Sequence, residues 1–401
     1  MANVTLTSIS SLLKEVYETK IPSQLQDEMI LGKRIEKSSE GVVDTTGGKY
    51  VYFPVIVGRN QGISYRAEGE ALGDPGAAKY NHAKVELYHG YGRARFNGQI
   101  FDQTAKNPQA FAQAADMEME SLKTSLLKDQ QRILYGDGTG LLAAVSAATS
   151  PAANTVTVGA AGTYWLEVGQ VIDILTRSTG AAVATGRTIT AINYTTGVVT
   201  FDGATAATAT TDGIYRAGNY TSGTRREPNG LGNIVASTGV LHDINPSSEP
   251  KWAAISVNLG GALTEEAMIR RCDDVRVNGG KISAIFTSLG VRRAYFNLLR
   301  QDRQFVNTQT FDGGYTGLPF NYGTEIPVVE DPDCPASTMY FLTEKDITIR
   351  QTKDWYFDDR DGSIFKWVGG YDSYDVMMKR YWNVSTYRRN GHAVMTGITE
   401  A

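Results

Sequence analysis

The chain has 401 residues, 41% hydrophobic and 20% charged, with 42 glycines and 21 tyrosines, which is enough for two or three globular units with many turns and much aromatic strand surface. A net charge of −4 gives no global reason for nucleic-acid affinity and disfavours a DNA-reading role. No apolar run approaches the roughly 18 residues that span a bilayer, and the N-terminus lacks the basic-then-apolar pattern of a secretion signal.

Residues 1–46 read as an arm. Ile9, Leu12, Leu13, Val16 and Tyr17 share one face of a short amphipathic helix, and a second helical stretch after Pro22 bears Leu25, Met29 and Ile35. Residues 47–98 read as a long hairpin, with period-two alternation over 49–57 (KYVYFPVIV) and 84–96 (KVELYHGYGRARF) and a Gly-rich, charged connection too polar to bury. Such a hairpin is marginal alone in water, so it calls for a partner surface, unless it is an ordinary hairpin on the sheet of its own domain.

Residues 99–145 are dominated by one helix. Asn107 is a good N-cap, Pro108 suits the first turn, and Phe111, Ala115, Met119, Leu122, Leu126 and Ile133 recur at helical spacing up to Gly136, where a left-handed residue is expected. About 27 residues make it roughly 40 Å long. A single apolar stripe predicts a beam lying across a domain; a coiled coil is disfavoured because Gln130 breaks the seam.

Residues 146–222 change character. Charge thins out, and short strands (NTVTV, QVIDIL, RTITAI, VVTFD) are punctuated by glycine, as in a small β-barrel or sandwich inserted into a larger domain. From 223 to 345 the pattern is mixed: Thr264 caps a helix that stops at Gly279–Gly280, a strand (ISAIF) follows, and a second helix starts at Ser288. Residues 301–324 read as a long loop, and strands at 339–342, 347–351 and 376–384 are expected to complete one sheet. Residues 346–385 return to the strands and 386–401 form a C-terminal segment.

Chemistry finds no foothold in the sequence. His82, His89, His242 and His392 have no metal-ligand spacing and read as surface or strand histidines. Gly136–Gly140 (GDGTG) follows a helix instead of a strand, so a helix stop fits better than a phosphate loop. Asp358–Gly362 lacks the first acidic ligand and the closing glutamate of a calcium loop. Cys272 and Cys334 have no CxxC partner and read as buried free thiols, with one disulfide between them still open. No GxSxG elbow is present, and neither catalytic residues, metal nor cofactor are expected.

The order of parts resembles the major capsid protein of tailed bacteriophages, the Hong Kong phage capsid fold, an α+β architecture. The residues that carry the resemblance are Ala67-Glu68-Gly69 in the hairpin, the helix end Arg132–Gly140 (RILYGDGTG), Pro228-Asn229-Gly230-Leu231 after the module, and Gly323–Val329 (GTEIPVV). By this resemblance 47–98 is the extended loop, the helix is the spine of a peripheral domain, 223–345 is the axial domain, 346–385 completes the peripheral domain, and the module is similar to insertion domains of some members. Arg66, Glu68, Glu70, Asp74 and Lys79 would then be intersubunit contacts, and Phe111, Met119, Leu122, Leu126 and Ile133 the packing face of the spine. The implied partners are copies of the chain in hexamers and pentamers, a portal, decoration proteins and packaged DNA held without sequence-specific contact. An arm beginning at Met1 implies a separate scaffolding protein or none. The implied place is the virion, after assembly in the host bacterial cytoplasm, with no membrane. Some members crosslink a loop lysine to an asparagine on a neighbour; Lys79 lies in the loop, but neither an acceptor nor the helping glutamate matches, so no crosslink is expected. The rivals are a β-rich adhesin, favoured by the module and the tyrosines but opposed by the helices, and a hydrolase with a dispersed site.

Overall fold

Strand phase decides how the chain divides. In the hairpin region Ala83 and Val85 point inward, whereas further on Gly92, Ala94 and Phe96 do, so the alternation slips by one residue at Leu87. The expected single strand over 84–96 is therefore two: Lys79–Glu86, which pairs antiparallel with Tyr50–Gly58, and Tyr88–Asn97, which leaves for another sheet. A computed structural model describes residues 29–40, 42, 50–98, 108–151, 153–221, 223–301, 309–311, 315–323, 325–360 and 362–401; the arm positions Ile9 to Leu25 and the cap Asn107 lie outside them.

One sheet is built on the 14-residue strand Ser373–Thr386. Tyr88–Asn97 lines one edge of it, and Phe365–Trp367, Tyr356–Phe357 and Ile347–Gln351 line the other, with Glu36–Ser38 from the arm region parallel to Ile347–Gln351. The helix Pro108–Tyr135 backs this sheet. Met119 and Leu122 pack on Ala94, Phe96 and Val376. Leu126 lies over Gly92, where a Cβ would come within 2.6 Å of Leu126 Cδ1. Ile133 enters the main core; the side chain of Phe111 lies outside the described residues.

A second, seven-stranded sheet runs Ile255–Gly261, Ala393–Ile398, Met339–Leu342, Ala284–Thr287, Glu325–Glu330, Tyr315–Asn321 and Gln309–Phe311. Its central strands Ala284–Thr287 and Met339–Leu342 are buried at every position and, but for Thr287, apolar, because both faces are covered. Phe286, Tyr340, Leu342 and Val394 face the main core with the hairpin base and the helix end. Ile285, Met339, Phe341 and Met395 face the helices Glu265–Val277 and Leu289–Gln301. Thr264 caps the first of these, its Oγ1 accepting from Ala267 N at 3.2 Å.

Several expectations change here. The strands at 339–342, 347–351 and 376–384 belong to two sheets, because the chain crosses between them at Thr343 and again beyond Thr386. The segment 301–324 contains two strands, since Tyr315–Asn321 has an edge of Glu325–Glu330 to pair with. The C-terminal segment supplies Ala393–Ile398 to the interior of the second sheet. Of the helical stretch after Pro22, Leu31–Arg34 is the helical part among the described residues.

The module starts at Leu141, before the expected 146. Its strands run in the order Leu141–Ala144, Asp212–Arg216, Val171–Thr176, Ala182–Asn193, Val198–Phe201 and Thr155–Thr157, all antiparallel. The path closes on itself where Ser146 N donates to Thr157 O at 2.8 Å, around a core of Val156, Ile172, Ile174, Val199 and Ile214. Arg225 Nη1 donates to Asp137 O at 3.1 Å, so the two ends of the module meet.

Gly136 is not left-handed; Gly138 and Gly140 are. The helix end instead needs Gly230, where a Cβ would lie 2.1 Å from Ile133 O, 2.5 Å from Gly136 O and 2.8 Å from Leu134 O. These are backbone atoms that cannot swing aside, so Gly230→Ala should cost about 3 kcal/mol in urea unfolding. Unchanged unfolding would mean that the helix end and residues 228–232 are not in this contact.

His242 and His392 are buried, not on the surface, because both serve the crossing between the sheets. His392 Nδ1 accepts from Thr343 N at 3.2 Å and its Nε2 lies 3.1 Å from Thr386 Oγ1, while His242 Nε2 accepts from Thr386 N at 3.3 Å. Burial lowers both to about 3, with Arg389 adding to the effect at His242. The unfolded chain binds the extra protons between about 3 and the ordinary 6.5, so their stabilisation is full above 6.5 and is lost as pH falls towards 3. Unfolding free energy should decline below pH 6.5 by up to about 1.4 kcal/mol per pH unit for each histidine. In His392→Gln, measured by urea unfolding at pH 4 to 7, the slope should be shallower.

Candidate assembly surface

The hairpin splits into a base held by its own subunit and a lobe that is not. At the base, Val51, Phe53, Val57, Ala83 and Val85 are buried, while Tyr52, Ile56 and Tyr80 on the opposite face stand bare. Lys84 N donates to His242 O at 2.9 Å, and Lys79 Nζ pairs with Glu249 Oε1 at 2.5 Å. Lys79 is therefore a strand residue with a partner in its own chain, although its side chain remains exposed.

Beyond the base the two limbs pinch at Gly62 and Gly76, where a Cβ on Gly62 would lie 2.5 Å from Gly76 N. The lobe ends in a turn in which Glu70 N donates to Ala67 O and Ala67 N to Glu70 Oε2, both at 3.2 Å, with Gly69 left-handed at φ +84°. Arg66, Glu68, Glu70 and Asp74 are all exposed on it, and none has an ion pair among the described residues. Three apolar residues that charge reasoning passed over share the lobe: Ile63, Tyr65 and Leu72 are 77%, 96% and 90% exposed. Their signal was present in GISYR and EALGD, read there as a polar connection. Apolar side chains this bare on a projecting ribbon mark a surface that the described residues of the chain do not cover.

The end of the long helix holds the body together. Gln130 Oε1 accepts from Trp355 Nε1 at 3.0 Å and from Arg380. Gln131 Oε1 accepts from Gly32 N at 3.1 Å and its Nε2 donates to Asp331 Oδ2 at 2.8 Å. Tyr135 OH donates to the same oxygen at 2.8 Å; burial keeps the Asp331 carboxyl above its ordinary pKa despite these donors. Arg132 donates to Asp129 at 2.9 Å, to Glu227 at 2.7 Å and to Leu141 O at 3.4 Å. Burial opposes the Arg132 charge, but Asp129 and Glu227 outweigh it and hold its pKa above the ordinary value. The module is tied in next to this point: Lys128 Nζ reaches Asp333 Oδ1 at 2.6 Å, Tyr164 OH donates to the same oxygen at 3.0 Å, and Arg216 pairs with Asp129 at 3.0 Å.

Between strand Tyr88–Asn97, the helix and the module turn 164–170 lies a groove of about 1000 Å³ with Tyr91, Leu126, Trp165 and Trp355 in its wall. The residues tested for chemistry are otherwise engaged. Thr139 N and Oγ1 both donate to Asp137 Oδ1, closing the GDGTG turn on itself, and Asp358 pairs with Lys379 at 2.6 Å. Cys272 and Cys334 are free and buried; burial pushes the Cys272 thiol up to about 12, far from reactivity. Among the described residues no group of three or more metal-ligating side chains forms, and no helix is long and apolar enough to cross a membrane.

Residues 193–363 match the family model described as SU10 major capsid protein. The fold is similar over 99% of this chain and 100% of the other to a structure described as the cyanophage A-1(L) capsid asymmetric unit, at 14% identity and a TM-score of 0.59. It is similar at 10% identity and a TM-score of 0.51 to the capsid of a native GTA particle, over 99% and 100% of the two chains. For a structure described as Mycobacterium phage Adephagia the identity is 8%, the TM-score 0.51 and the coverage 98% of each chain. No curated protein sequence matches.

The buried pair at the helix end makes a test of the body independent of assembly. Arg132→Met strands the Glu227 carboxylate, which is almost fully buried, and should cost about 3–5 kcal/mol in chemical denaturation. Adding Glu227→Gln should recover part of that loss, since the stranded charge is then removed.

Proposed function

We infer that this chain is a tailed-phage major capsid protein, a non-enzymatic structural subunit that associates with copies of itself into the shell of the virion. The observation that carries the reading is the match of residues 193–363 to a major capsid protein family, on a chain whose α+β fold follows a capsid subunit from end to end.

In this reading the hairpin 50–86 is the extended loop, Pro108–Tyr135 the spine of a peripheral domain, the seven-stranded sheet with its two helices the axial domain, and the closed β unit from Leu141 an inserted domain. Arg66, Glu68, Glu70 and Asp74 contact a neighbouring subunit, joined by Ile63, Tyr65 and Leu72; Lys79 anchors the limb to its own body. What supports this division is burial: the base of the hairpin is satisfied within the subunit and the lobe is not. Each lobe contact is modest, but closed symmetry repeats it around hexamers and pentamers, so many weak interfaces sum to a stable shell. A net charge of −4 suits a wall that confines DNA without gripping it. A scaffolding protein, a portal and decoration proteins complete the partners, with assembly in the host cytoplasm.

The test is negative-stain microscopy of the overexpressed chain, alone and with its neighbouring gene products, with shells as the expected result. Replacing residues 62–76 by a tight Asn-Gly turn should leave unfolding of the unassembled chain within about 0.5 kcal/mol of the parent while abolishing or deforming shells. Normal shells from the shortened chain would remove the lobe from the interface.

A further inference from the structure

We propose that the cavity between the end of the helix Glu265–Val277 and the strand Glu325–Glu330 is a binding site for a small amphipathic anion, an acidic head on an aromatic or branched apolar body. The proposal does not depend on the capsid reading, because the cavity lies within one subunit. It measures about 370 Å³, room for a compact organic molecule. Its floor is apolar, with Cys272, Ile282 and Ile326 buried around it. Gly280 shapes the edge of the floor: a Cβ there would come within 2.6 Å of Val275 Cγ1 and 2.9 Å of Gly391 Cα, so the turn after the helix packs too tightly for a side chain. At the mouth the reverse holds. A Cβ on Gly323 would meet nothing within 4 Å, and the entrance stays open.

The mouth carries charge of one sign. Arg276 and Lys281 line it, both exposed, and no carboxylate does. Neither has an ion pair among the described residues. The carboxylates beside them on the helix are engaged elsewhere: Asp274 pairs with Arg271 at 3.1 Å, and Asp273 accepts from Tyr322 OH. That bond, and then burial, hold the Tyr322 phenol above its ordinary pKa, so it keeps its proton and offers the adjacent Arg276 guanidinium only an uncharged oxygen. The positive charge at the mouth is therefore uncompensated within the described chain.

Capping does not explain these cations. Basic side chains commonly serve the last carbonyls of a helix, but here Asn278 Nδ2 donates to Asp274 O at 3.1 Å, Gly279 N to Arg276 O at 2.9 Å and Gly280 N to Val275 O at 2.9 Å. Arg388 donates to the Gly279 carbonyl beyond them. The helix end is thus satisfied without Arg276 or Lys281. An arginine fork matches two oxygens of a carboxylate, sulfonate or phosphate, and a lysine beside it adds a compact point charge. Water screens exposed cations, so the head group alone is held weakly; burying an apolar body on the floor supplies the rest.

The probe is 2-naphthalenesulfonate, followed by ligand-observed NMR titration of the unassembled full chain. It should bind with a Kd of about 1 mM or tighter. The neutral isostere 2-naphthalenemethanol should bind the parent about tenfold or more weakly, and so should the sulfonate bind the double variant Arg276→Gln with Lys281→Gln. Arg226→Gln, which removes an exposed cation from the groove beside the module, should leave binding within about twofold of the parent. Both substituted side chains of the double variant are exposed, so without ligand its unfolding midpoint in urea should match the parent's. Saturating sulfonate should raise that midpoint in the parent and not in the double variant. Equal binding of sulfonate and alcohol, sulfonate binding that survives the double substitution, or no binding at all would each overturn the site. None of these readouts involves shell formation, so the capsid reading stands or falls separately, in microscopy.

Discussion

Three consecutive side chains near the end of one helix hold the subunit together. Gln130, Gln131 and Arg132 leave the helix about 100° apart, so each faces a different part of the molecule. Gln130 meets Trp355 and Arg380 of the helix-backed sheet, Gln131 meets Asp331 beside the seven-stranded sheet, and Arg132 meets Glu227 and Leu141 at the root of the module. All three are buried, so each bond is made where water cannot replace it, and removing one partner strands the other. A helix with only apolar residues here would pack on one neighbour; polar groups at successive positions make it a junction of three.

That junction explains how the chain can be rigid in its body and open at its edge. The main core joins the hairpin base, the helix end and one face of the seven-stranded sheet. What lies beyond the Gly62/Gly76 neck takes no part in it. In the capsid reading proposed above this separation has a use: the fold of the subunit stands before neighbours arrive, and Tyr65 and Leu72 on the lobe stay bare. The histidines at the crossing between the sheets belong to the body: buried and neutral, each accepts a backbone N–H through one ring nitrogen, and the Nε2–H of His392 donates to Thr386 Oγ1, just where the chain passes from one sheet to the other.

Local pattern was enough for some of this and not for the rest. The stripe Met119, Leu122, Leu126, Ile133 repeats at helical spacing, and the glycine-punctuated strands of the module alternate, because each burial face is written into neighbouring residues. The slip at Leu87 was also written there, as a change from odd to even inward positions, and was passed over because the run is continuously strand-like. Gln130, by contrast, looked like a defect in an apolar seam. Its partners, Trp355 and Arg380, lie more than 220 residues away in sequence.

By itself the sequence determined the long helix, the alternating limbs of the hairpin, the capped helices after Thr264 and Ser288, and the glycine-punctuated strands between 146 and 222. These follow from periodicity, capping and spacing, which act over a few residues. Only the tertiary structure decided which strands share a sheet, that Gly230 instead of Gly136 is the glycine the helix end requires, that His242 and His392 are buried acceptors, and that Ile63, Tyr65 and Leu72 are left bare. Each of those depends on what arrives from far along the chain, and a contact between distant segments leaves no period in either of them.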